Sequence, residues 1–214
     1  MAPRSYTRLR RGLIDACLAM NRLGINQGMA GNASVRLPEG LLITPSGLAY
    51  DRMRPDDIVT IDGAGRAQGP GTPSSEWRFH FDIMQTREDV NAVLHAHPPF
   101  CTALACLGMD IPAFHYMVAV AGGDSIRCAP YATFGTQALS DNALRALDGR
   151  RACLLANHGM ICVAGTLEGA LSLAIEVETL AQQYWRALQI GAPRILPPDE
   201  MQTVLEKFRT YGKR

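Results

Sequence analysis

The sequence predicts an α/β fold in which a mixed, mainly antiparallel central sheet carries helices on its faces. Three observations predict it. Helical and strand periodicities alternate along the chain. Several neighbouring strands are joined by turns too short for a parallel crossover, which needs about a dozen residues or more. The composition, 47% hydrophobic and 19% charged over 214 residues, is that of an ordinary globular chain long enough to bury a core. No internal repeat, low-complexity tract or composition break divides it, so residues 1–214 are expected to form a single domain.

Residues 5–23 carry Leu9, Leu13, Cys17, Met20 and Leu23 at three- and four-residue steps, one buried helix face, and Gly24 ends that helix. The Gly- and Asn-rich stretch INQGMAGNASVRL runs into a short alternating strand near 33–37. Gly40 turns the chain into a second strand, LLIT, and DIVTI at 57–61 makes a third before the Asp62-Gly63 turn. QGPGTPSS is rich in structure breakers and short, which suits an ordered loop. Glu76 to Gln85 reads as a helix with Ser74 or Ser75 at its N-terminus. NAVLHAH is a strand that stops at Pro98-Pro99, and FCTALACLG is a helix of small residues. Residues 136–147 are helical, ACLLANHGMICVAG is two strands meeting at Asn157-His158-Gly159, and 166–190 and 198–210 are the last two helices.

Composition excludes several functions. Lys and Arg number 21 against 20 Asp and Glu, so a nucleic-acid binder relying on bulk positive charge is ruled out. No apolar run approaches the roughly 20 residues of a membrane span. Asp15 interrupts the only apolar stretch near the start, so no secretory leader is expected. The six cysteines, Cys17, Cys101, Cys106, Cys128, Cys153 and Cys162, form no C-x-x-C pair. They read as scattered buried thiols in a reducing cytoplasm.

His95 and His97 stand two apart in a predicted strand, which puts both imidazoles on one face. That spacing suits two ligands of one metal, and His158 beside a glycine turn can supply a third. Catalytic zinc sites use three protein ligands and keep a position open. The same spacing also fits two unrelated histidines beside a proline turn. His80, four residues past Glu76 on a helix, reads as a buried hydrogen-bonding residue, and His115 has the weaker claim to a role. Glu76 has two readings. Acidic residues favour a first helical turn, and Pro73-Ser74-Ser75 can be a simple cap. Alternatively Ser74 and Ser75 hold an anion at the helix N-terminus, with Glu76 an acid or base beside the metal. Gly31-Asn32 and Ser46-Gly47 can add donors to that anion. No G-x-G-x-x-G or P-loop is present, so a nucleotide cofactor has no support.

Taken together, these stretches resemble the class II aldolase/adducin family, and within it the bacterial aldolases of L-fuculose 1-phosphate. The resemblance rests on NQG-x-AGN-x-SVR at 26–36, LITP-x-G at 42–47, PSSEWRFH at 73–80 and NAV-x-H-x-H at 91–97. It continues through IPA-x-HYM at 111–117, CAPYATFGT at 128–136, HG at 158–159 and VLEKF-x-TYG at 204–212. It implies a three-layer α/β/α domain, a fourfold homotetramer with sites at subunit interfaces, and one Zn²⁺ held by His95, His97 and His158. Glu76 would be the fourth, exchangeable ligand and a proton-transfer group. Gly31, Asn32, Ser46, Gly47, Ser74 and Ser75 match the family's phosphate pocket. Tyr116 matches a catalytic tyrosine that reaches a neighbouring subunit's site, and Phe134, Tyr211 and Arg214 match the aldehyde end.

The implied activity is reversible cleavage of a ketose 1-phosphate to dihydroxyacetone phosphate and an aldehyde. The chain departs from the family pattern at Met29, where the fuculose-phosphate aldolases carry threonine, and at Asn157, where they carry histidine. An apolar Met29 near the aldehyde end favours a less hydroxylated tail, such as that of 5-deoxyribulose or 5-methylthioribulose 1-phosphate. The family's sugar-phosphate 4-epimerases usually carry Asp where Glu76 stands, a methylthioribulose-phosphate dehydratase is a more distant choice, and a non-enzymatic adducin-like scaffold would lack the three histidines.

Overall fold

Alternation along the strands creates two apolar faces, and each face recruits its own helices. The computed structural model describes residues 6–210. Its strands are β1 (Asn32–Leu37), β2 (Gly40–Ile43), β3 (Val59–Asp62), β4 (Ala67–Gln68), β5 (Ala92–Ala96), β6 (Arg127–Ala129), β7 (Ala152–Leu155) and β8 (Gly159–Ala164). They form one sheet in the order β4-β3-β2-β1-β5-β8-β7-β6. Every pairing is antiparallel except that of β6 with β7.

On one face Ala33, Val35, Leu94, Ala96, Leu154, Met160 and Cys162 share a core with α1 (Thr7–Arg22), α3 (Pro99–Cys106) and α5 (Leu167–Ile190). Met201 of α6 (Pro198–Thr210) joins it. On the opposite face Leu41, Ile43, Val59, Val93, Cys153 and Ile161 pack against α2 (Trp77–Thr86) and α4 (Gln137–Ala146). The result is the three-layer arrangement that the resemblance implies. Because β5 alternates, His95 shares the α2 side of the sheet with Val93, and its ring meets Phe79 of α2 edge-on at 5.5 Å. Asn32 and Ser34 of β1 face the same side, and Asn32 pairs directly with His95 across the ladder.

Two details depart from the spacing argument. The buried stripe of α1 is Leu13, Ile14, Cys17 and Met20, whereas Leu9 and Leu23 are 39% and 49% exposed. Leu9 borders an open groove between α1 and the start of α5, and Leu23 lies beyond the last helical turn. The strands β4 and β6, with two and three residues, are too short to leave a period-two signature. Among the described residues all six cysteines are free, four of them buried, and no helix is long and apolar enough to cross a membrane.

The position of α2 is fixed by Arg36 on β1. Its guanidinium donates to the carbonyls of Met84, Arg87 and Val90 at 2.7–2.9 Å, closing the C-terminal end of α2 with a cation. The planar fork donates from two nitrogens, Nε and Nη2, where an ammonium has only one. Replacing Arg36 by Met should lower the unfolding free energy by about 2–3 kcal/mol, through carbonyls left without partners. Urea denaturation would show it as a lower midpoint, with Arg36→Lys between the two.

Candidate metal centre

Glu76 is the residue at which the chain enters α2, and its side chain makes no capping bond to that helix. It turns inward instead and is only 5% exposed. Oε2 accepts from Asn32 Nδ2 at 2.9 Å and lies 3.1 Å from His95 Nε2. Oε1 lies 3.2 Å from His158 Nε2, yet is buried with no hydrogen-bond partner. The acidic-first-turn reading of Glu76 therefore does not describe this carboxylate.

Three elements bring the imidazoles to it. His95 ends the apolar run of β5. The strand stops at Ala96, so His97 lies one step past it rather than within it, where the chain turns into Pro98-Pro99. The two Nε2 atoms still converge to 2.8 Å. His158 comes from the turn between β7 and β8, which Asn157 makes possible with a left-handed backbone, φ 55°. Asparagine tolerates that conformation better than most side chains. The ring centroids form a nearly even triangle of 4.7, 4.8 and 4.9 Å. Gly159 follows because its missing Cβ would stand 2.5 Å from the Ala96 carbonyl and 2.7 Å from His97 Cδ2. Glu178 of α5 steadies the exit from His97, its carboxylate accepting from the Phe100 and Cys101 N–H groups at 2.9 Å each.

The donor set calls for a cation. His95 Nδ1 lies 2.9 Å from the Met160 carbonyl, which can only accept, so Nδ1 carries a proton and a neutral His95 aims its Nε2 lone pair inward. Burial works to raise the Glu76 carboxyl, but His95 and His158 hold it well below the usual carboxylate range. Burial alone would lower the His95 imidazole, yet the Glu76 carboxylate carries it above its ordinary value. Burial, with His95 and His158 alongside, presses His97 down to about 4. One proton on His95 would still leave His97 neutral and Glu76 Oε1 without a partner. A divalent ion satisfies all four groups at once, and their ligand atoms lie within 4.8 Å of one another. Three imidazoles and a carboxylate are a fitting donor set for zinc or a similar ion.

A cleft of about 410 Å³ opens on the cluster, lined by Met29, Ala30, Ser75, Glu76, His97, Tyr131, Ala132, Phe134, Asn157 and His158. Met29 and Phe134 are 51% and 63% exposed along this cleft. Ala30, Tyr131 and Ala132 were not singled out from the sequence, although Tyr131 and Ala132 lie in the same CAPYATFGT run as Phe134. A larger cavity, about 610 Å³ between α1 and the start of α5, contains no histidine.

Ser75 lines the cleft and is exposed, whereas Ser74 is buried and its hydroxyl accepts from the Glu76 N–H. The loops of Ser46-Gly47 and Ser74-Ser75 are laced together, Ser46 N–H donating to Thr72 O and Ser74 N–H to Thr44 O. Gly31 and Asn32 are buried beneath the cluster. A Cβ on Gly31 would stand 2.7 Å from the His95 carbonyl. Both polar atoms of the Asn32 side chain are engaged, Nδ2 with Glu76 and Oδ1 with His80. Asn32 is only 4% exposed, with one Nδ2 hydrogen and its Oδ1 held by these two neighbours. Tyr116 is half exposed at the start of a 3-10 segment, Tyr116–Ala121, and is not among the cleft residues. Tyr211 and Arg214 lie outside the described residues.

Residues 11–185 match the family model described as the class II aldolase and adducin N-terminal domain. The chain is 62% identical over 210 residues to a 5-methylthioribulose-1-phosphate/5-deoxyribulose-1-phosphate aldolase of Rhodospirillum rubrum, an alignment covering 98% of this chain and 95% of that protein. It is 53% identical over 208 residues to the L-fuculose phosphate aldolase of Escherichia coli K12, covering 97% of each. A solved L-fuculose 1-phosphate aldolase superposes with a TM-score of 0.92 at 41% identity, covering 94% of this chain and 96% of that one.

Elemental analysis of the purified protein should find about one divalent ion per chain. His158→Gln should lose most of it, with an unchanged far-ultraviolet circular dichroism spectrum.

Proposed function

Because the chain belongs to the class II aldolase and adducin family, we propose that it cleaves a ketose 1-phosphate reversibly to dihydroxyacetone phosphate and an aldehyde. The single observation that carries the reading is the Glu76 carboxylate, buried among three imidazoles with Oε1 unpartnered. As a class II aldolase the protein is a lyase that needs no Schiff base. Its two lysines are Lys207 and Lys213, and Lys207 lies in α6, not along the cleft. A divalent ion, zinc in this reading, is held by His95, His97, His158 and Glu76, and when bound supplies Lewis-acid stabilisation of the charge left on the three-carbon fragment.

The chain's own residues do the rest. Gly31, Asn32, Ser46, Gly47, Ser74 and Ser75 fix the phosphate in this reading. That grip is remote from the breaking bond and sets the substrate's register. Tyr116 takes the C4 hydroxyl proton as the C3–C4 bond breaks. Glu76, the exchangeable ligand, takes up a proton as the substrate displaces it, and then delivers that proton to C3. Tyr116, which does not line its own chain's cleft, serves a neighbouring subunit's site in a homotetramer in this reading. Tyr211 joins Met29 and Phe134 at the aldehyde end. The whole chain, 1–214, acts as one domain, and its free cysteines suit the cytoplasm.

Met29 favours a second statement about the substrate. Together with Ala30, Ala132 and Phe134 it gives the cleft an apolar wall. Such a wall selects a tail with fewer hydroxyls, as in 5-deoxyribulose or 5-methylthioribulose 1-phosphate, over fuculose 1-phosphate.

Three outcomes check these assignments. Dihydroxyacetone phosphate release, coupled to NADH oxidation and compared across fuculose, rhamnulose, ribulose, 5-deoxyribulose and methylthioribulose 1-phosphates, should give the highest kcat/KM with one of the last two. A clear preference for fuculose 1-phosphate would remove the role given to Met29. Glu76→Gln should lower turnover by about 10²–10⁴-fold and weaken metal retention. Tyr116→Phe should slow cleavage while metal content stays at the wild-type level, and unchanged turnover would remove its assignment.

A further inference from the structure

Behind Glu76 lies a chain of three buried side chains, Asn32, His80 and Ser34, none of which lines the cleft. Asn32 Nδ2 donates to Glu76 Oε2 at 2.9 Å. This fixes the orientation of the amide, because the reverse would set an oxygen against the carboxylate. Asn32 Oδ1 then faces His80 Nε2 at 2.6 Å, and since Oδ1 can only accept, Nε2 carries the proton. His80 Nδ1 is left bare and accepts from the Ser34 hydroxyl at 2.7 Å. Each link dictates the next. Ser34 and His80 are fully buried and Asn32 is 4% exposed, so water does not compete for any of these bonds.

The fold holds this chain rigidly. Ser34 and Asn32 are two residues apart on β1 and present the same face to α2. His80 sits one turn beyond Glu76 on α2, so donor and recipient share one helix. Phe79 lies against the His80 ring at 4.6 Å and 22°, and meets His95 on its other side. Apart from the imidazoles, the Asn32 bond is the contact that orients the Glu76 carboxylate, since Oε1 has no hydrogen-bond partner.

We propose that His80 is a positioning residue: with Ser34 it locks the Asn32 amide, and the amide aims the Glu76 carboxylate. The proposal rests on the reading of Glu76 as ligand and proton donor. It gives SSEWRFH a physical reason for a histidine four residues after the glutamate, and gives Asn32 a task other than holding phosphate. Partners of this kind behind ligating groups typically affect metal affinity or activity by about 10–100-fold.

The test uses the metal-loaded full chain. His80→Leu should lower kcat by about 10–100-fold with KM for the best ketose 1-phosphate changed by less than about threefold. His80→Gln, whose amide can still donate to Asn32 Oδ1, should recover most of that loss. Ser34→Ala, a smaller change that tolerates folding, should show the same kcat-selective loss in milder form. In histidine-labelled protein, ¹⁵N spectra should give His80 as the neutral Nε2–H tautomer. Wild-type kcat in folded His80→Leu or Ser34→Ala, equal losses in the Leu and Gln variants, or an Nδ1–H tautomer would each overturn the proposal. Undiminished turnover in Glu76→Gln would instead remove the reading of Glu76 itself, so the two failures are told apart.

Discussion

A buried carboxylate facing three ring nitrogens is the constraint on which the rest of this structure depends. Removed from water, the Glu76 charge is costly unless opposite charge or donors surround it. The Asn32 amide meets part of that need from behind, and in front three imidazole nitrogens stand within reach of a cation that the carboxylate could share. The imidazoles in turn need a cation, because the Met160 carbonyl holds the proton of His95 on its far nitrogen. The cluster is therefore a preorganised site whose groups repel or orphan one another until positive charge arrives. Catalytic use follows from the same arrangement, since a charge sink already in place needs little reorganisation when charge develops on substrate.

The sheet makes this arrangement possible. Strands β1, β5 and β8 are neighbours at its centre, and the register sets Asn32 opposite His95 and His95 opposite Ile161. Period-two alternation then sends Asn32, Ser34 and His95 toward α2. Small residues let the backbones close up: Gly31 against the His95 carbonyl and Gly159 against Ala96. A glycine in each motif is thus accounted for by packing between strands, independently of any ligand. Arg36 clamps the far end of α2, so the helix that carries Glu76 and His80 is held at both ends, by the loop lacing at its start and by the guanidinium at its finish.

Much of this was legible in the sequence. The long helices and the strands β1, β2, β3, β5, β7 and β8 announced themselves through periodicity and glycine or proline boundaries. The mainly antiparallel character followed from turn length. The ligand cluster was readable as types of residue at suggestive places, and the resemblance joined His158 to the other two. What remained hidden is what depends on orientation. Spacing cannot say that Glu76 turns away from its helix cap, that His97 lies beyond the strand end, or that the Asn32 amide is committed on both atoms. Leu9 was misplaced because helical phase does not reveal where a neighbouring helix stops covering it. Tyr131 was passed over because an exposed aromatic in a loop carries no period.

The cluster also has a temporal side. Its groups come from residues 32 to 160, on strands that are central in space but far apart along the chain. Glu76, His95 and His97 lie within residues 76–97, but His158 comes about 60 residues later. A nascent chain that has emerged only through β5 therefore lacks the group that closes the set. Tight capture must await β8 and its insertion beside β5, a non-local pairing of the slow-forming kind. The complete set of four groups thus exists only once the middle of the sheet has been assembled in register.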